Sequence, residues 1–315
     1  MIKQFLVLGL AGLAVLDTAT VARCQGGTAI APGLAPQAGG ALRPVITTSE
    51  LVVGQNRLAF GLLKNHQPLD EADVVLRVYE VHGQQAQLRA QTRAPYARLE
   101  IVEQGQRVHI HPDGTRHVHH EATDVQGIYV AQVTFERPGI WGFEVLAKQS
   151  NGPVEVARFT VNVLDAPRTP TPGTAAPRSR NLIASDVRDL RQIDTSDPPD
   201  PRLHQVRIAD AIAQGRAQVI VFATPKLCTS RICGPVVDIV RTLLPVYGDR
   251  VVFTHQEIWQ DALAREFLPT VAEWGLQTEP WIFVVDGKGI VRAKVRGLTT
   301  AREIEIALRQ VLAQE

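Results

Sequence analysis

An apolar run that leads into two cysteines and then into a helical pattern constrains the fold more than any other segment of this chain. Residues 219–223 are apolar without interruption, which is typical of a strand buried on both faces of a sheet. Apolar residues then recur at helical spacing, at Val236, Ile239, Val240, Leu243 and Leu244. The sequence therefore predicts a strand followed by a helix, with Cys228 and Cys233 at the junction.

The position of these cysteines favours reactivity. Backbone N–H groups and the macrodipole at a helix N-terminus stabilise a thiolate, the form of cysteine that exchanges disulfides. In one continuous helix, their separation of five residues would turn the two side chains about 140° apart. A disulfide between them thus requires Cys228 to precede the helix proper, with Gly234 and Pro235 bending or restarting its first turn.

The composition excludes several classes of protein. The chain has 315 residues, which predicts two domains of ordinary size, each able to bury a core. Its formal net charge is +1 with basic residues spread along the sequence, so we expect no nucleic-acid partner. Three cysteines are too few for a disulfide scaffold, and the close pair predicts a specific redox or cross-linking use.

The N-terminus is typical of an export signal. Lys3 supplies positive charge and residues 5–16 form an apolar run too short to span a membrane, so residues 1–22 are a predicted signal peptide. The sequence before Cys24 resembles a bacterial lipoprotein cleavage site, although Arg23 stands where a small residue is usual. Lipidation would tether the protein to the periplasmic or extracellular face of the membrane; cleavage without lipidation and an uncleaved anchor are the alternatives. In an exported protein, we expect the close cysteine pair to form a disulfide.

Three further segments precede the cysteine-bearing region. Residues 23–45 are rich in Gly, Ala and Pro and predict a flexible tether. Residues 46–164 contain short alternating apolar segments separated by turn residues, which predicts an all-β antiparallel sandwich. Within it, GIYVAQVTFERPGIWGFEVLA at residues 127–147 resembles the late strands of immunoglobulin-like modules in exported bacterial proteins. Residues 165–183 are rich in Pro and Thr and predict an extended interdomain linker.

A cluster of histidines lies inside the predicted sandwich. Five histidines occur within residues 109–120, around a Pro-Asp-Gly turn signal. A five-residue loop would put His111 opposite His117 and His109 opposite His119, and four imidazoles on one face suit copper or zinc. A two-residue Asp-Gly loop would instead scatter them over both faces and leave a solvated polar hairpin. The remaining histidines are isolated in the sequence and are interpreted as surface or structural residues: His66, His82, His204 and His255.

Residues 184–315 predict the order helix, strand, helix, strand, helix, strand, strand, helix. A turn signal at residues 286–289 joins the last two strands, and Thr300 with Glu303 forms a capping box for the final helix. With the cysteine motif after the first strand and Pro280 just before the third, this order resembles that of thioredoxin-like domains. The resemblance implies an α/β thioredoxin-like fold for the whole region.

The resemblance also implies thiol–disulfide exchange with thiols or disulfides of partner proteins, with no cofactor required. In that family a cis-proline lies against the cysteine pair, so Cys228, Cys233 and Pro280 are the candidate catalytic residues. The motif CTSRICGPV departs from the family pattern, because Val236 stands where the second cysteine of CGPC would be. The tryptophan and buried aspartate of typical thioredoxins are not evident either. Either cysteine is therefore a candidate nucleophile, with the other as resolving partner.

Other interpretations of the same residues stay open. A C-x4-C pair also resembles one branch of the peroxiredoxins, although Pro225 stands at the threonine position and Val221 at the proline position of the peroxidatic signature. The pair would equally suit a structural disulfide in a non-catalytic exported binding or scaffold protein. A metal-handling protein, in which histidines and thiols act on copper or zinc, is the third alternative. Reactivity of the thiols and metal stoichiometry distinguish these classes.

We predict that the N-terminal domain binds a Cu(II) or Zn(II) ion through its clustered histidines. Because protonated imidazole cannot ligate, binding weakens as the pH falls through about 6.5. In calorimetric titrations, changing His109 and His119 together to alanine abolishes uptake, whereas the same change at His66 and His82 leaves it intact. No uptake at neutral pH, or uptake indifferent to the first double change, would contradict a metal site here.

Overall fold

The structure, a computed structural model, describes residues 29–30, 42–99, 107–110, 116–119, 126–228, 232–261 and 266–314. The predicted signal peptide and Cys24 lie outside these residues, so export and lipidation stay predictions. Of the helices described, none is both long enough and apolar enough to cross a bilayer.

The described residues up to Leu164 form strands and connecting turns. The strands are β1 (Ala29–Ile30), β2 (Leu42–Ile46), β3 (Leu51–Val52), β4 (Gly54–Lys64), β5 (Gln67–Pro68), β6 (Asp73–His82), β7 (Gln85–Arg93), β8 (Tyr96–Arg98), β9 (Arg107–Ile110), β10 (Arg116–His119), β11 (Gly127–Phe135), β12 (Gly139–Lys148) and β13 (Val154–Leu164). One sheet has the order β1-β7-β6-β12-β13-β3 and the other β2-β4-β11-β8, with β5 paired to β4. All pairs in these sheets are antiparallel except that of β13 with β3.

The two sheets pack face to face, as the alternating pattern predicts. On β6, Val74, Leu76 and Val78 are buried while the residues between them are partly exposed. Aromatic rings fill the space between the sheets, and the ring of Phe60 on β4 lies 6.4 Å from that of Phe159 on β13. The predicted β-sandwich is thus confirmed.

The histidine-rich hairpin is formed by β9 and β10, which pair antiparallel with each other. Its register pairs His117 with His109 and His119 with Arg107. Neither of the two loops considered above gives this register, because the five-residue loop would pair His117 with His111 and the two-residue loop would pair it with Ile110. His111 itself lies outside the described residues, and the metal site at this cluster stays a prediction.

The second unit is smaller and mixes helices with strands. Three short 3₁₀ turns (Ala184–Asp186, Leu190–Gln192 and Pro201–His204) precede α1 (Ile208–Ala213), β14 (Gln218–Phe222), α2 (Cys233–Tyr247), β15 (Val252–Gln256), β16 (Trp259–Asp261), β17 (Glu266–Phe267), α3 (Pro269–Glu273), β18 (Trp281–Val285), β19 (Val291–Arg296) and α4 (Ala301–Leu312). Apart from the pair β16 and β17, this succession agrees with the predicted one. The predicted capping box of Thr300 and Glu303 is present at α4.

A four-stranded sheet in the order β15-β14-β18-β19 forms the centre of this α/β unit. β14 is parallel to β15 and antiparallel to β18, and every residue of these three strands is buried. Val219 and Val221 pack with α2 and α4 on one face of the sheet. Ile220 and Phe222 pack with α1 and α3 on the other face. Because helices cover both faces, the first strand reads as the continuous apolar run that predicted it.

Residues 262–274 predict a helix interrupted at Pro269; residues 262–265 lie outside the described residues, and Glu266–Phe267 form a strand instead of a helix. β16 and β17 pair as a small hairpin, with the rings of Trp259 and Phe267 stacked 4.7 Å apart. Helix α3 begins only at Pro269, and Leu268 before it has extended backbone. A proline begins a helix readily but cannot continue one, since it lacks an N–H and forces the preceding residue out of the helical region.

The Pro-rich segment predicted to be a linker lies against the α/β unit. Gly173 N donates to the carbonyl of Val291 at 2.8 Å, and Val291 N donates back to the carbonyl of Thr174 at 2.9 Å. Further along, the indole nitrogen of Trp274 donates to Ser179 Oγ at 3.1 Å. The segment therefore follows the β19 edge of the sheet before the chain enters α1.

The sandwich and the α/β unit meet in a polar cluster and a close backbone approach. Arg57 on β4 forms an ion pair with Glu303 at 2.7 Å and donates to the carbonyl of Leu298 at 2.8 Å. Gly297 has a φ of 69°, and a Cβ at this position would overlap the carbonyl oxygen of Thr47. Three buried sandwich residues belong to the same apolar cluster as α2 and α4: Ala59, Leu99 and Ile128.

We predict that Gly297→Ala lowers the free energy of unfolding by more than Gly83→Ala does. Both glycines have positive φ, so each substitution carries backbone strain of about 1–3 kcal/mol. A Cβ at Gly83 meets nothing within 4 Å, whereas one at Gly297 displaces the Thr47 backbone as well. Urea denaturation of both variants measures the difference, and equal losses would mean that the interface does not require this approach.

Candidate functional site

The strand β14 and the helix α2 position the two cysteines. Cys228 precedes the helix and Cys233 is its first residue, with Cα atoms 6.0 Å apart and the sulfurs joined in a disulfide. Cys228 is 8% exposed and Cys233 is fully buried. The predicted disulfide is present, and Cys228 lies before the helix proper, as its geometry required.

The first turn of α2 is continuous through the Gly-Pro pair. Pro235 is the third helical residue, where the missing N–H costs no intrahelical hydrogen bond, and Val236 N donates to the carbonyl of Ile232 at 3.1 Å. The expected bend or restart at Gly234 and Pro235 is therefore not needed. Cys233 lies directly at the positive end of the helix dipole, which stabilises a thiolate there.

A carboxyl group that the sequence analysis did not single out lies beside the disulfide. One Glu279 carboxylate oxygen and the sulfurs of Cys228 and Cys233 lie within 4.8 Å of one another. The carboxylate accepts a hydrogen bond from Thr224 N at 2.6 Å and from the Trp259 indole at 3.3 Å. Burial raises the pKa of Glu279, and its hydrogen bonds only partly oppose this. A protonatable group thus stands next to both sulfurs.

Pro280 occupies the position that the resemblance assigned to it. It is buried immediately before β18, and its peptide bond to Glu279 is cis. Phe222 at the end of β14 pairs with Trp281, so Pro280 lies beside the chain that leads to the cysteines. Its carbonyl accepts from Gly297 N at 3.0 Å. Contact of Pro280 with a partner protein stays a prediction.

A second cluster lies on the opposite side of β14. His204 Nε2 is 3.1 Å from Asp194 Oδ2, and His255 Nδ1 is 3.4 Å from Asp194 Oδ1. Although burial acts to raise it, the pKa of Asp194 is held far below its ordinary range by the two imidazoles beside it, of which His204 forms a hydrogen bond with the carboxylate. Burial acts to lower the pKa of His255, but Asp194 and Glu257 overcome this and raise it. Burial lowers the pKa of His204.

His204 and His255, interpreted above as surface or structural residues, are both buried and lie together. They are far apart in sequence, yet the fold brings their ring centroids to 5.4 Å. One feature of the sequence points to a role for His255: it lies within a predicted buried strand, where a polar side chain needs a hydrogen-bonding partner. His66 and His82 are exposed, as expected, and His82 pairs with Glu80.

The backbone at the end of β14 links the two clusters. His255 Nε2 donates to the carbonyl of Ala223 at 2.9 Å, and the next amide, at Thr224, donates to Glu279. Within the part of the chain that the structure describes, the two groups whose spacing could hold a metal ion are these: Asp194 with His204 and His255, and Cys228 with Cys233 and Glu279.

No family model matches the chain. No curated protein matches it either. Among solved structures, a DUF4426 family protein from Pseudomonas aeruginosa aligns at 12% identity over 42% of this chain and 98% of its own, with a TM-score of 0.23. Murine CRIg aligns at 13% identity over 40% of this chain and 99% of its own, with a TM-score of 0.20. Both scores are low, so the fold described above rests on the observed sheets and their packing.

Proposed function

We propose that this protein is an exported thiol–disulfide oxidoreductase, whose thioredoxin-like α/β domain exchanges disulfides with partner proteins through Cys228 and Cys233. The observation that carries the proposal is the disulfide at the N-terminus of α2, with a buried carboxyl group beside both sulfurs. Helix dipole, proton donor and disulfide are the components that thiol exchange requires. The β-sandwich is the attached binding domain.

The exposures of the two cysteine residues support an assignment of their roles. An incoming thiolate attacks the Sγ of Cys228, which is the more accessible of the two. The bond between Cys228 and Cys233 breaks, its electron pair stays on Cys233 as a thiolate, and a mixed disulfide forms at Cys228. A second thiolate of the partner then attacks that mixed disulfide, releasing Cys228 reduced and the partner oxidised. The reverse sequence reduces a partner disulfide, with Cys228 as the nucleophile.

Two groups stabilise the sulfur that leaves. The N-terminus of α2 favours the thiolate of Cys233 electrostatically. Glu279, whose pKa is raised by burial, holds a proton to a higher pH than a free carboxyl and can deliver it to that thiolate. The carboxylate left behind is stabilised by the Thr224 amide.

The order of strands supports a thioredoxin-like assignment for the α/β unit. β14 lies between a parallel and an antiparallel neighbour, and the helix after the cysteines packs against it. A disulfide also persists most readily in an oxidising compartment, which supports location outside the cytoplasm.

One observation favours a second candidate, a structural disulfide in a non-catalytic binding or scaffold protein. Neither cysteine residue is more than 8% exposed, and a partner must reach Cys228 for exchange to occur. Redox measurements separate the two candidates.

We expect the reduction potential of the Cys228–Cys233 pair, measured in glutathione buffers with alkylation and mass analysis, to lie above about −300 mV. The matched single variants then test the assigned roles. With a disulfide-containing peptide, the free Cys228 thiolate of Cys233→Ser attacks the peptide disulfide, releases one peptide thiol and is trapped as a mixed disulfide, whereas Cys228→Ser traps little, because Cys233 is fully buried. A potential below that value, with no trapping by either variant, would establish the structural alternative.

We also predict that Glu279→Gln lowers the thiol pKa of the reduced pair. A carboxylate this close disfavours the thiolate, so its removal speeds alkylation by up to about tenfold, the effect of one pKa unit. The difference in alkylation rate between wild type and Glu279→Gln grows as the pH rises through the pKa of Glu279, since only the ionised carboxylate repels the thiolate. Iodoacetamide pH profiles measure it, with the exposed Glu266→Gln as control. Identical profiles for wild type and Glu279→Gln would remove Glu279 from the mechanism.

A further inference from the structure

Three side chains that could bind a metal ion are buried together beside β14, the strand that leads to the cysteines. Asp194 and His255 are fully buried, and His204 is 1% exposed. Asp194 lies in the loop before α1, His204 ends a 3₁₀ turn, and His255 lies on β15. A buried carboxylate and two buried imidazoles are costly to desolvate, so their shared position needs a specific compensation.

The two ring nitrogens of His255 face different groups, and the position of the ring proton follows from them. Its Nε2 faces the carbonyl of Ala223, which can only accept, so the proton of the neutral ring lies on Nε2. Nδ1 then points a lone pair at Asp194 Oδ1, 3.4 Å away, and makes no hydrogen bond. Nδ1 of His204 is also without a hydrogen-bond partner. A cation between the ring of His255 and the carboxylate removes the repulsion of the two lone pairs.

The carboxylate is held in place for such a cation. Its Oδ1 accepts from Ser196 N at 2.8 Å, and its Oδ2 accepts from Asp200 N at 3.1 Å. Each oxygen keeps a lone pair, directed towards one imidazole. A ligating histidine that donates its other nitrogen to a backbone carbonyl, and a ligating carboxylate fixed by further hydrogen bonds, are the usual surroundings of a protein-bound metal.

We propose that Asp194, His204 and His255 form a structural Zn(II) site, with one nitrogen of each imidazole and the carboxylate of Asp194 as donors. Zinc bonds to such atoms are about 2.0–2.2 Å long, so neighbouring ligand atoms around a tetrahedral ion are about 3.3 Å apart. The observed nitrogen–oxygen distances of 3.1 and 3.4 Å match this spacing. Burial of all three side chains keeps a substrate away from the ion, so the role we assign to it is structural rather than catalytic.

The site joins the loop before α1 to β15. It lies next to the backbone of Ala223 and Thr224. It is separate from the disulfide, so it neither requires nor supplies the thiol chemistry proposed above. A bound proton is the competing occupant, because a doubly protonated His255 would satisfy the same acceptors. Metal analysis distinguishes the two.

The test refolds the full chain from denaturant with ZnCl₂, because the enclosed site must fill as the protein folds. The background carries Cys228→Ser and Cys233→Ser, with alanine at His109, His111, His117 and His119, which removes the cysteine pair and the histidine-rich hairpin as competing metal sites. After gel filtration, we expect about one zinc per chain by elemental analysis. His204→Gln, which keeps a donor facing Asp194, and Asp194→Asn lose the metal while retaining the circular dichroism spectrum.

Stability provides a readout that does not depend on those variants folding. Refolding the background protein with a chelator instead of zinc should lower its urea midpoint, because the ion binds only the folded state. Absence of zinc, with the same midpoint in zinc and in chelator, would overturn the proposal in favour of a proton. Zinc retained at full occupancy by folded His204→Gln would also overturn it, since the ion would then lie elsewhere.

Discussion

The burial of β14 on both faces and both edges is the constraint on which the rest of the α/β unit depends. Its last residue, Phe222, pairs with Gln256 on one side and with Trp281 on the other. The next residues, Ala223 and Thr224, therefore emerge between the ends of β15 and β18. A one-residue slip of this register would turn every side chain to the opposite face, so the position of each site follows from it.

Ionisable side chains are concentrated around residues 223 and 224, and each of them forms a hydrogen bond with a main-chain group. Glu279 accepts from Thr224, Glu257 accepts from Thr195 at 2.7 Å, and His255 donates to Ala223. In a low-dielectric interior, unpaired groups of this kind would cost several kcal/mol each. Paired with main-chain amides and carbonyls, they stay buried with raised pKa values, and Glu279 lies beside the disulfide.

The sequence predicted what depends on local pattern and missed what depends on register. The alternation in the sandwich, the apolar run of β14, the disulfide and the cap at Thr300 were predictable, because neighbouring residues encode them. The approach of Glu279 to the sulfurs was not, because it requires the pairing of β14 with β18. Nor was the meeting of His204 and His255, which requires the loop before α1 to fold back onto β15. The helix expected before Pro269 was wrong because apolar residues at helical spacing also suit a short hairpin.

The sandwich also packs against the segment that carries Pro280. Gly297 N donates to the carbonyl of Pro280, and the same glycine lies against the backbone of Thr47 in the sandwich. The neighbouring Arg296 places its guanidinium 4.9 Å from the ring of Trp281, the residue after the proline. The segment that carries Pro280 is thus enclosed between the cysteine loop and the N-terminal unit. Since a packed interface of this kind is not continuously deformable, a displacement of the sandwich must either be resisted there or reach Pro280 through Gly297.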